Sequence, residues 1–442
     1  MLEFHKKKSK NPSKTEPEKR IKDFQEIYSQ FDKNDSIEQS SRCSQCGIPY
    51  CQIHCPLNNN IPDWLRYIAE GRLEEAYQVS ASTNAFPEVC GRVCPQDRLC
   101  EGNCVVEQAG FGAITIGNLE KYLTEIAWQK GWVKNLSSQN QYKQKVAIIG
   151  SGPAGMAASA YLIQNGYKVD VYEKNDRAGG LMIYGIPNFK LDKKIVERRT
   201  EWLTDSGVVF NLNTEVGKNI SFQDLEKDYD AILIATGVYK ARQLDIDTSS
   251  VNNSIPALDF LIESNRTGLG DSPSKNKYLT AKDKHVVVIG GGDTAMDCVR
   301  TAIRQQAKEV TCLYRRNKEN MPGSAREVLN AEQEGIKFNW LSVPSKIISD
   351  SATATSMTYK VATLGEVDES GRRKPIDTGV EKQIKSDLII QALGFEPEDL
   401  NHNFKTNIEL TSWKTVKVDF KKFQTSNPCL LYTSDAADEW IG

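Results

Sequence analysis

Thiolates are strong metal ligands, and eight of the eleven cysteines in this 442-residue chain fall between Cys43 and Cys104. Their spacing is Cys43-x2-Cys46-x4-Cys51-x3-Cys55-Pro56, then, after a gap, Cys90-x3-Cys94-Pro95-x4-Cys100-x3-Cys104. Eight thiolates can hold two zinc ions, two iron–sulfur clusters or four disulfides. Zinc knuckles usually show paired C-x2-C units or histidine ligands, and only His54 lies nearby. Disulfides are disfavoured in a reducing cytosol. Runs that carry Cys-Pro fit iron–sulfur ligation, in which the last cysteine of a run often serves the other cluster. Two 4Fe-4S clusters are therefore expected, with Cys43, Cys46, Cys51, Cys55, Cys90, Cys94, Cys100 and Cys104 as ligands. Zinc and disulfides remain the alternatives. Cys298, Cys312 and Cys429 stand alone.

A second chemistry is written between Lys145 and Glu173, KVAIIGSGPAGMAASAYLIQNGYKVDVYE. An apolar run, a glycine turn, a small-residue helical pattern and a second apolar run predict strand, turn, helix and strand. Gly150 permits the tight turn, Gly152 lets backbone approach a pyrophosphate, and Gly155 brings the helix against the strand. The helix N-terminus offers unpaired N–H groups and a positive dipole end to the phosphates. Glu173 stands where a carboxylate accepts hydrogen bonds from an adenosine ribose. The bland alternative is an ordinary glycine turn, against which the flanking strands and the distant acid both weigh. Downstream, GGLMIYGIPNFKLDK offers Gly180 and Leu181 for close approach to a flavin.

The pattern restarts at His285: an apolar strand, Val286 to Ile289, meets Gly290-Gly291-Gly292, and a helix opens at Asp293-Thr294-Ala295. The two halves repeat one nucleotide-binding plan. Where the first ends in Glu173, the second ends in Arg315-Arg316. A carboxylate there would repel a 2'-phosphate, whereas guanidinium groups pair with it. The first site therefore suits FAD and the second NADPH; a solvated strand end is the alternative for the arginine pair. No C-x-x-C accompanies these units, so a dithiol reductase of the thioredoxin-reductase type is not expected.

The elements that must position these groups follow from periodicity. Between the cysteine strings, IPDWLRYIAEGRLEEAYQVSASTN reads as a helical hairpin broken at Gly71, with Trp64, Leu65 and Ile68 as core. ITIGNLEKYLTEIAWQKGW predicts another helix, and a polar linker runs from Lys134 to Gln144. Asp230 to Gly237 and Asp387 to Gly394 read as buried strands ending in glycine turns. The expected fold is α/β: a helical iron–sulfur amino-terminal domain followed by two Rossmann-like dinucleotide-binding domains. The boundaries read as 1–140 for the helical domain and 145–270 for the first part of the FAD domain. An inserted NADPH domain takes 271–385, and 386–428 is a second, truncated FAD part.

A formal net charge of −2, from 56 basic and 58 acidic residues, argues against a nucleic-acid surface. No apolar run approaches the ~18 residues that span a bilayer, and the start shows no signal peptide. A cytoplasmic protein without membrane contact is expected, its basic amino-terminal run a solvated arm.

The motifs CGIPYC, PEVCGRVCPQDRLCEGNC, GSGPAGMAA, GIPNFKLDK, GGGDTAMDCVRTAIRQ, YRRNKENMPGS and FQTSNP resemble the small (β) subunit of bacterial NADPH-dependent glutamate synthase. The same module resembles the amino-terminal part of dihydropyrimidine dehydrogenase and NADH-dependent ferredoxin:NADP oxidoreductases. The resemblance implies interleaved clusters, one on Cys43, Cys46, Cys51 and Cys104, the other on Cys55, Cys90, Cys94 and Cys100. It also implies FAD at Gly150, Gly152, Gly155 and Glu173, with NADPH at Gly290, Gly292, Asp293, Thr294, Arg315 and Arg316. NADPH would reduce FAD, and the clusters would carry single electrons to a large (alpha) subunit that makes L-glutamate from glutamine and 2-oxoglutarate. No catalytic acid or base is obligatory for hydride transfer, and none is assigned. The alternatives are an electron-input subunit of a related pyrimidine reductase or ferredoxin:NADP oxidoreductase, and a zinc-bound scaffold with no enzymatic activity.

The segment 429–442, CLLYTSDAADEWIG, departs from the family's pattern. It reads as an anomalous tail resembling read-through of a sequencing adapter, and it puts stable FAD binding in question.

Overall fold

The computed structural model describes residues 1–248, 251–367, 373–419 and 421–433. Its amino-terminal part is helical because apolar residues there recur every three or four positions. Helices Ile61–Ala69 and Leu73–Ala81 form the hairpin, and Pro87–Val93 packs on Ile116–Gln129. Trp64, Leu65, Ile68, Leu119, Leu123 and Ala127 meet in one core, where each large side chain contributes about 1.5–3 kcal/mol.

The first dinucleotide unit is a parallel sheet in the order Leu430–Tyr432, Ala231–Ile234, Lys145–Ile149, Lys168–Tyr172 and Val209–Asn211. Side chains alternate across a strand. Val146, Ile148, Val169 and Val171 accordingly enter the core on one face, and Ala147, Ile149, Ile232 and Ile234 the core on the other. Burial on both faces explains the unbroken apolar runs. Leu430–Tyr432, from the start of the segment that reads as anomalous, is one edge strand of this sheet among the described residues, with Leu430 buried against the second core. Its backbone pairs with Ala231–Ile234 whatever its side chains resemble. Residues 434–442 lie outside the described residues.

The second unit repeats the plan in the order Ser254–Pro256, Leu388–Gln391, His285–Ile289, Glu309–Leu313 and Lys337–Asn339. An antiparallel sheet of Ser342–Asp350, Thr353–Val367 and Arg373–Lys385 covers one face, where Met357 and Tyr359 pack on Val287, Ile289 and Ile389. Strands Ser254–Pro256 and Leu388–Gln391 thus lie in the second sheet, although the motif boundaries assign both segments to the first unit. An apolar parallel strand looks the same in either sheet, so its pattern does not say which sheet takes it.

Buried charge fastens the three parts together. Arg199 of the first unit donates to Glu88 of the helical part at 2.7 and 2.8 Å, beneath Trp128 and Trp202. Arg20 near the amino terminus donates to Glu334 of the second unit at 2.8 Å, and Arg300 and Arg304 donate to the same carboxylate. Phe189 of the first unit packs its ring against Arg300 and Arg304.

Candidate functional site

The backbone brings the last thiol of the second string, Cys104, to the thiols of the first. Cys43, Cys46 and Cys51 line a small cavity together with Cys104, walled by Leu65, Ile114 and Ile116. All eleven cysteines are free thiols, which sets aside the disulfide alternative for this structure. Burial, and then the neighbouring Cys43 and Cys104, pushes the Cys51 thiol up to about 12. Thiols that crowd one another in an enclosed space ionise readily only around a cation, and soft thiolate donors suit iron. The donor set therefore fits a four-iron cluster. Among the described residues no three His, Cys, Asp or Glu side chains close on a single ion.

The second group holds five candidates. Burial and then backbone N–H groups act on the Cys55 thiol, which also feels Glu120 and Cys90. The neighbouring Cys94 and then burial push Cys90 well up. Burial pushes Cys100 up as well, with Glu101, Glu120 and Cys55 adding to it. Glu120 is the residue the sequence did not offer as a ligand. Its carboxyl is buried and raised by that burial and by Cys90, and Asn84 Nδ2 donates to it at 3.2 Å. Asn84 also accepts from Cys90 Sγ at 3.7 Å. Glu120 lies on an amphipathic helix sixteen residues past Cys104, where an acid reads as solvated face; only its position on the buried side marks it.

The first glycine turn opens on a cavity of about 680 Å³ lined by Gly150, Gly152, Glu173, Gly180, Leu181, Thr236 and Gly237. Gly150 has φ +103°, and a Cβ there would stand 2.3 Å from the Ala235 carbonyl. A Cβ at Gly152 would meet nothing, because that side faces the cavity: this is the space a pyrophosphate needs. Gly155 sits so close that a Cβ would come 2.0 Å from the Gly150 carbonyl. Glu173 closes the turn: Ser151 N and Oγ donate to one oxygen at 3.1 and 2.5 Å, and Asn175 N donates to the other at 2.9 Å. The cradle fits a dinucleotide such as FAD. Behind it, Lys193 donates from Nζ to the carbonyls of Met182 and Ile186, and burial lowers that ammonium to about 7.

The second turn repeats the geometry. A Cβ at Gly290 would stand 2.2 Å from the Ala392 carbonyl, and one at Gly292 would meet nothing. Asp293 and Thr294 open the helix Asp293–Arg304, and Asp293 Oδ1 accepts from Ser324 N at 2.9 Å. The arginines part company: Arg315 is exposed, while Arg316 is buried and donates to the Arg373 carbonyl at 2.7 Å. Cys298 and Cys312 are fully buried in the second core, so neither stands at the surface of the turn.

Residues 20–132 match the family model for dihydropyrimidine dehydrogenase domain II, 4Fe-4S cluster, and residues 144–441 match that for pyridine nucleotide-disulphide oxidoreductases. The small chain of NADPH glutamate synthase from Azospirillum brasilense is 50% identical over 96% of this chain and 89% of its own length. The chain belongs to the glutamate synthase (NADPH) small-chain family. The corresponding small chain of Escherichia coli K12 is 43% identical over 93% of this chain and 89% of its own length. The putative oxidoreductase AegA of the same bacterium is 39% identical over 96% of this chain but only 66% of its own length. Among the described residues no helix is long and apolar enough to cross a membrane.

Proposed function

We propose that this family member is the NADPH-oxidising electron-input subunit of a cytoplasmic glutamate synthase, delivering electrons to a large subunit that forms L-glutamate from glutamine and 2-oxoglutarate. When bound, NADPH supplies a hydride, a flavin takes two electrons and releases them singly, and 4Fe-4S clusters carry one each. The chain's own residues bind and orient these groups. Gly150, Gly152 and Gly155, with the helix N-terminus behind them, would receive the FAD pyrophosphate, Glu173 the ribose, and Gly180 and Leu181 the flavin end. Gly290, Gly292, Asp293 and Thr294 would receive NADPH, with Arg315 at the 2'-phosphate and Arg316 bracing the loop. Cys43, Cys46, Cys51 and Cys104 would hold the first cluster. Cys55, Cys94 and Cys100 would hold the second, the fourth corner coming from Cys90 or Glu120.

One observation carries the reading: the second thiol group is built into the wall of the first dinucleotide unit. Phe86 and Val89, beside Cys90, share a core with Val146 and Ile148, and Tyr161 on the glycine-turn helix feels Cys90. A redox centre there has the nucleotide cradle as its neighbour. Iron, labile sulfide, zinc and flavin are measured per chain after anaerobic purification, with a visible spectrum before and after NADPH. About eight irons and a bound flavin that bleaches with NADPH are expected. Zinc in place of iron would overturn the reading.

A further inference from the structure

A cavity of about 880 Å³ lies where the amino-terminal arm and the two dinucleotide units meet, with Phe24 of the arm, Lys193 of the first unit and Arg304 of the second in its walls. It shares no lining residue with the first cradle. It is remote from the second turn as well, because Arg304 ends the helix that Asp293 opens, roughly 16 Å away along the axis. Neither dinucleotide site uses this space.

Two of its wall residues are buried cations with a donor to spare. Lys193 is 5% exposed, and its Nζ donates to the Met182 carbonyl at 2.9 Å and to that of Ile186. An ammonium has three protons, and among the described residues no carboxylate pairs with this one. Arg304 is 4% exposed and donates from both terminal nitrogens to Glu334, but its buried Nε has no acceptor. Arg20 and Arg300 donate to the same Glu334, and Arg300 also to Glu327. Lys190 and Asp297 balance each other. Four buried cations, Arg20, Arg300, Arg304 and Lys193, thus stand against two carboxylates, and buried charge is costly unless an opposite charge pairs with it. Packing holds Lys193 and Arg304 to one cavity. Asn188 Oδ1 accepts from Lys193 N at 3.0 Å, its Nδ2 donates to the Phe24 carbonyl at 2.9 Å, and the ring of Phe189 lies 3.9 Å from the Arg304 guanidinium. The rim adds exposed Lys194, Lys277 and Lys282 against Asp192, Glu197 and Glu263. Two of those acids already accept from backbone: Asp192 from Lys194 N at 3.1 Å and Glu263 from Ser274 N at 2.6 Å.

We propose that this cavity is a binding site for a small oxyanion, a carboxylate or a phosphate, held by Lys193 and Arg304 at the joint between the two dinucleotide units. The third Nζ proton of Lys193 and the Nε–H of Arg304 are its donors, and the rim lysines draw it in. The arm, the first unit and the second unit all contribute walls, so a bound anion ties the second unit to the first. Binding is non-covalent and independent of electron transfer.

The test is isothermal titration calorimetry of the full, cofactor-loaded chain with inorganic phosphate and, separately, with 2-oxoglutarate, each against sodium chloride of equal ionic strength. Saturable binding of one anion per chain is expected, and the anion that binds tells phosphate from carboxylate. Lys193→Met is expected to weaken it by about tenfold or more, the worth of a hydrogen bond to a charged group. Lys282→Glu, a charge reversal at the exposed rim that leaves the core untouched, is expected to weaken it about threefold. Arg315→Ala, at the far turn, is expected to leave it unchanged. No saturable heat with either anion overturns the proposal. Binding unchanged in Lys282→Glu, or in folded Lys193→Met, overturns it too, as does binding lost in Arg315→Ala, which would move the anion to the second turn.

Discussion

Asp97 reaches from the loop between Cys94 and Cys100 across to Ser324 of the second unit, accepting from Ser324 Oγ at 3.1 and 3.2 Å and from Ala325 N at 3.0 Å. The same Ser324 donates its backbone N–H to Asp293, the first residue of the glycine-turn helix. A thiol-bearing loop and a nucleotide turn therefore share one serine. Asp97 caps the helix Ala325–Gln333 from another domain, and a cap is worth about 1 kcal/mol. Asp97→Ala is expected to lower the thermal midpoint by about 2–4 °C, as that energy does in a domain of about 150–250 residues, with iron content unchanged. An unchanged midpoint would mean that the bridge contributes nothing in solution.

The glycine turn separates folding from binding. Gly150→Ala forces a side chain onto φ +103° and against the Ala235 carbonyl, so loss of folded protein is expected. Gly152→Ala meets no protein atom. Freed of flavin, it should unfold at the midpoint of the flavin-free unsubstituted protein, yet it should retain much less flavin after gel filtration, since its methyl occupies the cavity. Full flavin in Gly152→Ala would place the pyrophosphate elsewhere.

A four-iron cube has four corners, and Cys55, Cys94 and Cys100 leave one for either Cys90 or Glu120. Only one of the substitutions Cys90→Ala and Glu120→Ala is expected to lower iron from about eight to about four per chain. Iron loss with both would show that the pair acts together through Asn84. Iron retained with both would remove the two residues from the site.

Acid should loosen the attachment between the amino-terminal arm and the second unit. Burial alone would raise Glu327 and Glu334, but Arg300 and Arg304 outweigh it and hold Glu334 at about 2; Arg300 and Lys190 do the same for Glu327. Folded values below the ordinary 4.5 mean that stability is complete above about pH 4.5 and is lost as pH falls toward about 2. Glu334→Gln leaves three arginines facing a neutral amide. It is expected to cost about 3–5 kcal/mol and to flatten the fall in denaturant midpoint over that pH range.

How much of this was legible depended on whether a group's partner lies nearby in sequence. Gly150, Gly152 and Glu173 belong to one strand–turn–helix–strand unit, so spacing alone places them on one cradle. The hairpin around Gly71 and the core of Trp64, Leu65 and Ile68 were readable for the same reason. The boundary of the second unit was not, because Leu388–Gln391 has the same apolar pattern whichever sheet takes it. Glu120 and Asp97 were hidden differently: each is a charged residue whose meaning comes from a partner far off in the chain, and charge at such positions reads by default as solvated surface. Arg316 is the converse, half of a pair that spacing presents as equal and folding divides.

That division allows the nucleotide preference to be tested one arginine at a time. Arg316 is buried against the Arg373 carbonyl, so Arg316→Ala should act mainly on stability and lower the rates with NADPH and NADH together. Arg315 is exposed at the strand end after Glu309–Leu313, where a 2'-phosphate would lie on the dinucleotide plan. A hydrogen bond to a charged group is worth about 1.5–3 kcal/mol, which corresponds to roughly 10- to 100-fold. Arg315→Ala is expected to lower kcat/KM for NADPH by that factor, mostly through KM, and to leave kcat/KM for NADH nearly unchanged. NADH carries no 2'-phosphate and so loses no contact. Equal losses with the two nucleotides would show that Arg315 supports the loop and does not read the phosphate.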